Sequence, residues 1–164
     1  MEDRGRIDEA REEFQRAYEH HMAGRLDEAI ACYRRSIAAH ATAEAHTFLG
    51  WAMSFQGRHE DAIAQCKLAI SVDPSFGNPY NDIGAYLIEL GRHDEAPAWL
   101  ERAKTAARYA PRQFPYFNLA RVYVKQNRLR EAVAELRQAL HIEPRYEIAR
   151  RELTRLQSEL SRLN

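Results

Sequence analysis

The sequence contains few of the residues that interrupt helices or cross-link small folds. Only 7 of its 164 residues are glycine and 6 are proline, so little of the chain is expected to be loop. Two cysteines, Cys32 and Cys66, are too few for a secreted disulfide framework, and a reducing compartment is expected. Apolar residues make up 45%, which is enough to bury a core. The composition therefore indicates a helical globular protein.

The chain also lacks long apolar runs and an excess of either charge. No segment approaches the roughly 18 apolar residues of a membrane helix, and the residues after Met1 lack the apolar stretch of a signal peptide, so we expect a cytoplasmic protein. The 24 basic and 24 acidic side chains cancel. Proteins that bind nucleic acid or membrane surfaces usually carry a basic excess, so neither partner is expected.

The zero net charge is nevertheless the sum of two unequal halves. Residues 1–82 carry 9 basic and 14 acidic groups, a net charge of −5, whereas residues 83–164 carry 15 and 10, a net charge of +5. Arginine supplies 21 of the basic residues and lysine only 3, a usage that, with the abundant alanine, favours a bacterial, GC-rich coding sequence.

Motifs of catalysis and metal binding are missing as well. The sequence has no nucleophile elbow, no phosphate-binding glycine loop, no zinc-protease helix motif and no CxxC pair. The adjacent pair His20 and His21 faces different sides of a helix, so the two rings cannot chelate one metal ion. We expect no enzyme activity, no cofactor and no metal site.

A short turn motif recurs four times along the chain. Its copies occupy residues 24–29, 57–62, 91–96 and 127–132, at spacings of 33, 34 and 36 residues. Each copy begins with Gly or Asn, which tolerates the left-handed backbone that ends a helix. Acidic residues follow, and they favour the positive start of the next helix. Each repeat is therefore predicted to contain two antiparallel helices.

Small and large residues recur in phase with the turns. Seven residues before each turn lie Ala17, Gly50, Gly84 and Ala120; nine residues after it lie Tyr33, Cys66, Leu100 and Leu136; twelve after it lie Ser36, Ala69, Ala103 and Ala139. Pro74 and Pro144 close two of the repeats. Small residues facing large ones at helical spacing are expected where two helices approach closely.

These residues resemble the tetratricopeptide repeat (TPR) family, whose unit of roughly 34 residues carries the same small, large and proline positions. The resemblance implies an all-α fold, a right-handed α-solenoid of about four helix–turn–helix repeats. The repeats would span about residues 10–42, 43–76, 77–112 and 113–146 of a single domain, 1–164, followed by a capping helix over 147–163. Pro97 fits this scheme because it falls in the first turn of a helix.

Two segments leave alternatives open. Two extra residues around 108–112 indicate that the second helix of the third repeat either runs on or ends in a longer loop. The terminal segment places Ala149, Leu153, Leu156, Leu160 and Leu163 on one helical face. That stripe would either cap the last repeat or form a dimerising coiled-coil seam.

The TPR resemblance implies that the first helices line a concave groove that receives a peptide. Residues on the corresponding helical faces give the candidate groove set: Phe14, Tyr18, Trp51, Phe55, Asn81, Phe114, Phe117, Arg121, Lys125, Arg151 and Arg155. Trp51 and Phe55 are the favoured anchors, since Phe48, Leu49 and Met53 are expected to fill the inward positions. We expect a protein or peptide partner whose apolar side chains lie near Trp51 and Phe55. An acidic part of the partner is expected near the basic end of the groove, which comprises Arg121, Lys125, Arg151 and Arg155.

Three alternatives to this function differ in how well the sequence fits them. The basic cradle with which some TPR proteins grip a chaperone tail has no match, because Asn78 and Asp82 stand where cations are required. Self-assembly is the main alternative, either head to tail between the acidic and basic halves or through the terminal helix. RNA recognition by related helical repeats is disfavoured because the candidate reading positions form no uniform polar code.

Overall fold

The computed structural model describes residues 2–163, and over that range the chain folds into nine α-helices. They are α1 (Glu2–Met22), α2 (Leu26–Ala39), α3 (Ala43–Phe55), α4 (His59–Val72), α5 (Asn78–Glu89), α6 (Ala96–Thr105), α7 (Gln113–Lys125), α8 (Leu129–Ile142) and α9 (Glu147–Arg162). Four antiparallel pairs precede a single last helix. The predicted all-α solenoid is confirmed, although α1 begins about two turns before the expected start of the first repeat.

Backbone conformation explains the four turns. Gly24, Gly57 and Gly91 have φ of 77°, 75° and 74°, and Asn127 has φ of 57°. This left-handed region is open to glycine and tolerated by asparagine, whereas other side chains are strained there. The predicted left-handed ends of the first helices are therefore confirmed in all four pairs.

The two helices of each pair pack together through the small and large residues that recur in the sequence. Tyr33, Cys66, Leu100 and Leu136 are all fully buried. An added Cβ at Gly84 would lie 2.4 Å from the Leu100 side chain, so only glycine permits this separation of α5 and α6. Burial also raises the pKa of the Cys66 thiol well above its usual range, as expected for a packed rather than a reactive cysteine.

Successive helices pack mainly against their neighbours in sequence, as expected of a solenoid. In addition, the first helices touch one another, α3 with α5 and α5 with α7. The first helices therefore lie side by side along one face of the molecule, and Trp51, Asn81 and Phe114 are among the candidate residues that they carry. No helix among residues 2–163 is long and apolar enough to cross a bilayer.

The third pair is followed by a loop over residues 106–112, because α6 ends at Thr105. The Arg108 N–H donates to the Ser75 carbonyl, and the Gly77 N–H donates to the Arg108 carbonyl, each at 2.9 Å. The loop thus lies against the start of α5. Of the two alternatives for the extra residues, the longer loop is confirmed.

Helix α9 covers the end of the last pair. Ala149 and Leu156 are fully buried against α8, and Leu153 and Leu160 pack at their edges. Leu163, expected on the same stripe, is instead 72% exposed. The leucines of the proposed dimer seam are therefore already used within the chain, which favours the capping role.

Candidate functional site

Six ring side chains on α1 and α3 form a continuous group, which we call the aromatic cluster. Its members are Phe14, Tyr18, His21, Phe48, Trp51 and Phe55. The Phe48 ring lies at its centre, with its centroid 5.3 Å from Phe14 and 5.6 Å from Trp51. The Trp51 ring is in turn 5.7 Å from Phe55. These distances are those of favourable edge-to-face and tilted ring pairs.

The cluster is buried on one side and open on the other. Phe14 packs inward, edge-on to Tyr33 at 5.5 Å between ring centroids. Phe55 is 61% exposed and Tyr18 is 39% exposed, while Trp51 is half-buried. Of the four aromatic residues predicted on α1 and α3, Phe14 thus serves mainly the core. The other three form an open apolar surface.

The position of Phe48 differs from the predicted one. The residue was expected to fill an inward position; instead it is half-buried and lines a cavity in the face formed by the first helices. Its ring still contacts Tyr33 at 6.2 Å, so one edge belongs to the core and the other to the candidate site. The expectation was wrong because α3 packs between two pairs and has more than one apolar face.

The ring of His21 packs against Trp51, a contact that the sequence did not predict. Its ring centroid lies 4.3 Å from that of Trp51, and its Nδ1 is 3.2 Å from the Tyr33 hydroxyl. The Nε2 atom is buried and has no hydrogen-bond partner among the described residues. Burial lowers the pKa of His21, so the ring is neutral at physiological pH and behaves as part of the aromatic surface.

Beside the aromatic cluster lies a cavity of about 300 Å³, which we call the groove pocket. Its lining comprises Thr47, Phe48 and Trp51 from α3, Asn78, Asn81 and Asp82 from α5, Tyr109 from the loop after α6, and Phe114 from α7. Four of these eight residues are aromatic and one is a carboxylate. The pocket therefore combines apolar walls with a few polar groups, as ligand-binding pockets generally do.

Tyr109 reaches the pocket only because of the loop and of Gly77. A Cβ added at Gly77 would lie 2.4 Å from the Tyr109 side chain, so the close approach requires glycine. Arg108 anchors the same loop through ion pairs of 2.7 Å to both Glu44 and Asp73. Hydrogen bonds from Ser75 and then from Arg108 lower the pKa of Asp73 to about 2.

Asp82 is the acidic group of the groove pocket. Its carboxyl is half-buried, and no ion pair found among residues 2–163 includes it. Burial raises the pKa of Asp82 to about 7, and the neighbouring Asn81 amide opposes this rise only in part. Both protonation states are therefore accessible near neutral pH.

The buried amides of Asn81 and Asn118 form the floor between α5 and α7. The Asn118 amide donates to the Asn81 side-chain oxygen at 3.0 Å. Arg121 donates to the Asn118 oxygen at 3.2 Å and to Glu89 at 2.8 Å. Asn81, a predicted groove residue, does line the pocket, but it also holds two first helices together.

Models of the tetratricopeptide repeat match residues 22–79, 84–102 and 114–146, which together make up more than half of the chain. The chain belongs to the TPR family. TPR solenoids are protein-interaction scaffolds, typically without catalytic activity, and the fold described above has that architecture. A search among curated proteins found no match to this sequence.

Several solved structures share the TPR fold. PilF of Pseudomonas aeruginosa is 19% identical with a TM-score of 0.89, covering 96% of this chain and 72% of that protein. PilW, a type IV pilus biogenesis factor, is 20% identical with a TM-score of 0.84, covering 94% and 71%. YrrB, a TPR protein with an unusual peptide-binding site, is 16% identical with a TM-score of 0.69, covering 83% and 70%. Identities this low establish a shared fold only.

Most of the basic residues predicted at one end of the TPR groove form ion pairs with acidic residues of the same chain. Arg121 binds Glu89, Arg151 binds Glu147 at 3.2 Å, and Arg155 binds Glu152 at 2.6 Å. Arg151 and Arg155 lie on α9, away from the groove pocket, whereas Lys125 is exposed at the end of α7. The expected free positive surface is therefore much reduced.

Like the aromatic candidates on α1 and α3, Phe114 and Phe117 are divided between the core and the open surface. Both rings contact Tyr146, with centroid distances of 5.7 Å and 5.3 Å. Phe117 is half-buried and packs into the C-terminal core, whereas Phe114 is 37% exposed and lines the groove pocket. The structure thus brings Trp51, Asn81 and Phe114 to one pocket.

Proposed function

We propose that this TPR protein is a non-catalytic scaffold that binds a peptide segment of a partner protein in its concave groove. The observation that supports the proposal best is the open aromatic cluster on α1 and α3, continuous with the groove pocket through Phe48 and Trp51. Large exposed aromatic groups are unfavourable in water unless a partner covers them. Tyr and Trp side chains are also the commonest anchors of protein interfaces.

In the proposed complex, apolar side chains of the segment lie against Trp51 and Phe55. Phe55 exposes 61% of its surface, so a ligand can bury it without moving the backbone. Acidic side chains of the segment would meet Lys125, and they would compete with Glu89 for Arg121. The apolar contacts are expected to supply most of the affinity.

Selection from a random twelve-residue peptide display library tests this proposal, with the purified chain as the target. We expect a peptide family whose Kd rises about tenfold or more in the variant Phe55→Ala, the usual effect of truncating an interface anchor. Leu68→Ala is the matched control, because Leu68 is 47% exposed but lies on the second helix α4. A library that yields no binders, or binders equally weakened by both substitutions, would rule out the groove.

Head-to-tail self-assembly remains the second candidate, favoured by the net charges of −5 and +5 on the two halves of the chain. Light scattering at increasing salt tests it, because screening weakens contacts between opposite charges. A mass that rises with protein concentration and falls with salt supports stacking of copies. A constant monomer mass at all salt concentrations would exclude it.

A further inference from the structure

We propose that the groove pocket recognises an arginine side chain of the bound segment, through an ion pair with Asp82 and stacking on the surrounding rings. The inference rests on the proposed function and narrows it, because it states the chemistry of one partner residue. It places a basic residue of the partner at the centre of the groove, in addition to the acidic contacts expected near Lys125. Shape, charge and ring chemistry each support it.

The charge balance around the pocket favours a basic ligand. Three carboxylates on α3, on α5 and at the end of α4 each have a basic partner: Glu44 and Asp73 bind Arg108, and Glu89 binds Arg121. Asp82 alone among these four has none within the described part of the chain. A half-buried carboxylate without a counter-charge is costly, and a cation supplied by a ligand would relieve that cost.

The walls of the pocket are mainly aromatic, which favours a planar cation. Phe48, Trp51, Tyr109 and Phe114 line the same pocket as Asp82. Aromatic faces attract cations, and the planar guanidinium of arginine both stacks on rings and donates two parallel hydrogen bonds to a carboxylate. The same chain uses this chemistry internally, since the Arg108 guanidinium lies 4.4 Å from the centre of the Phe76 ring.

The size of the pocket and its remaining polar groups also fit an arginine side chain. A volume of about 300 Å³ accommodates one long side chain but not a folded element. The Asn81 oxygen is already occupied by Asn118, whereas Asn78 is half-buried at the pocket wall and can accept a further guanidinium N–H. Lysine would satisfy the charge but not the planar walls, and an acidic or purely apolar side chain would leave Asp82 repelled or unpaired.

Peptide selection on the wild-type chain and on Asp82→Asn tests the inference. Asparagine keeps the shape of the side chain and removes its charge. We expect arginine to be enriched at one position on the wild type and not on the variant. Glu28→Gln is the matched control, since it removes one negative charge from the same half of the protein at an exposed position on α2, and it should select the same peptides as the wild type.

A synthetic peptide from that selection is then compared with its citrulline analogue, which is neutral and nearly identical in shape to arginine. For the wild type, citrulline should raise Kd about tenfold, the scale of losing one charge-assisted pair. For Asp82→Asn, the two peptides should bind alike, which is the signature of a direct coupling. Amide NMR shifts should place the arginine-dependent changes at Asp82, Trp51 and Phe114.

The outcomes separate the two proposals. Peptides that need Phe55 but show no arginine preference, or that respond to citrulline equally in wild type and Asp82→Asn, would overturn the arginine inference and leave the peptide groove intact. Failure of the wild type to select any peptide would overturn the groove itself. Arginine enrichment that is lost in Glu28→Gln as well would show a general charge effect rather than recognition by Asp82.

Discussion

Asn118 on α7 donates a buried hydrogen bond of 3.0 Å to Asn81 on α5, and this pair fixes the floor of the groove next to Asp82. Each amide is more than nine-tenths buried. Arg121 adds a bond to the Asn118 oxygen, so the two first helices are joined by a short polar network rather than by apolar contacts alone. A floor held in this way keeps the pocket formed before any ligand arrives.

Substitution of Asn118 should therefore weaken the fold. Asn118→Ala leaves the buried Asn81 oxygen without a donor, at an expected cost of about 1–3 kcal/mol in the free energy of unfolding. Urea denaturation followed by circular dichroism measures this difference. Gln138→Ala, an exposed amide on α8, is the control, and an equal loss in both variants would contradict a special role for the pair.

Gly77 should be needed for the pocket wall. Its φ of −81° is open to any residue, so a side chain there is opposed only by its contacts with Tyr109 and, at 3.0 Å, with the Ala106 Cβ. Gly77→Ala is expected to destabilise the protein by about 1–3 kcal/mol, as overpacking does, and to weaken binding of the selected peptides. Gly5→Ala makes the matched control: with no atom within 4 Å of the added methyl, a helical position should gain about 0.5–1 kcal/mol.

Because of Asp82, the free energy of unfolding should fall as the pH rises toward 7. Its pKa is raised to about 7 in the folded chain from 3.8, so the folded state holds an extra proton between these values. The free energy of unfolding contributed by this group is highest below pH 4 and falls as the pH rises through 7. Relative to wild type, Asp82→Asn should gain roughly 1–3 kcal/mol between pH 4 and pH 8 in urea titrations.

Asp73 provides the contrast for that experiment. Its pKa is lowered to about 2, so its contribution is present above pH 4 and lost as the pH falls toward 2. Asp73→Asn should therefore lose stability at pH 7 and approach the wild type at low pH. Parallel behaviour of the two aspartate variants would contradict the assigned shifts.

Binding of an arginine peptide should also follow the charge of Asp82. Between pH 6 and pH 8 the carboxylate becomes mostly ionised, so Kd should fall by roughly fivefold to tenfold, while the citrulline peptide stays unchanged. The groups that face Asp82 do not titrate in this range, since burial raises the pKa of Tyr86, Tyr109 and Cys66. Calorimetry at both pH values measures the effect, and equal pH profiles for the two peptides would refute it.

The last helix should act as a cap and not as a dimer seam. Leu156 is fully buried against α8, so Leu156→Ala should cost about 2–5 kcal/mol. Leu163→Ala, at a position that is 72% exposed, should cost little. Light scattering should give the same mass for both variants and the wild type; a loss of dimer in Leu156→Ala would instead support the seam.

Local signals were enough to predict most of the fold. The glycines of the turns, the pairing of Gly84 with Leu100 and the position of Pro97 in the first turn of α6 all act within one repeat, over separations that a helical period fixes. Because each repeat contacts mainly its neighbours, repeating the unit repeats the architecture. Trp51 and Phe55 could be proposed as a surface for the same reason.

The composition of the groove depended on contacts that no period encodes. Tyr109 reaches the pocket through a loop that interrupts the repeat, and Phe48 turns one edge to the groove because α3 has two packed faces. Arg121 looks like a free cation in the sequence, yet it pairs with Glu89, 32 positions away on another helix.

By itself, then, the sequence determined that this is a TPR solenoid with aromatic first helices and a zero charge divided into −5 and +5. Only the tertiary structure decided which charges are paired across helices, because pairs such as Glu44 with Arg108 bring together residues that are far apart in the sequence. Within residues 2–163 it left Asp82, rather than the arginines, as the half-buried acidic side chain without an ion-pair partner in the groove pocket.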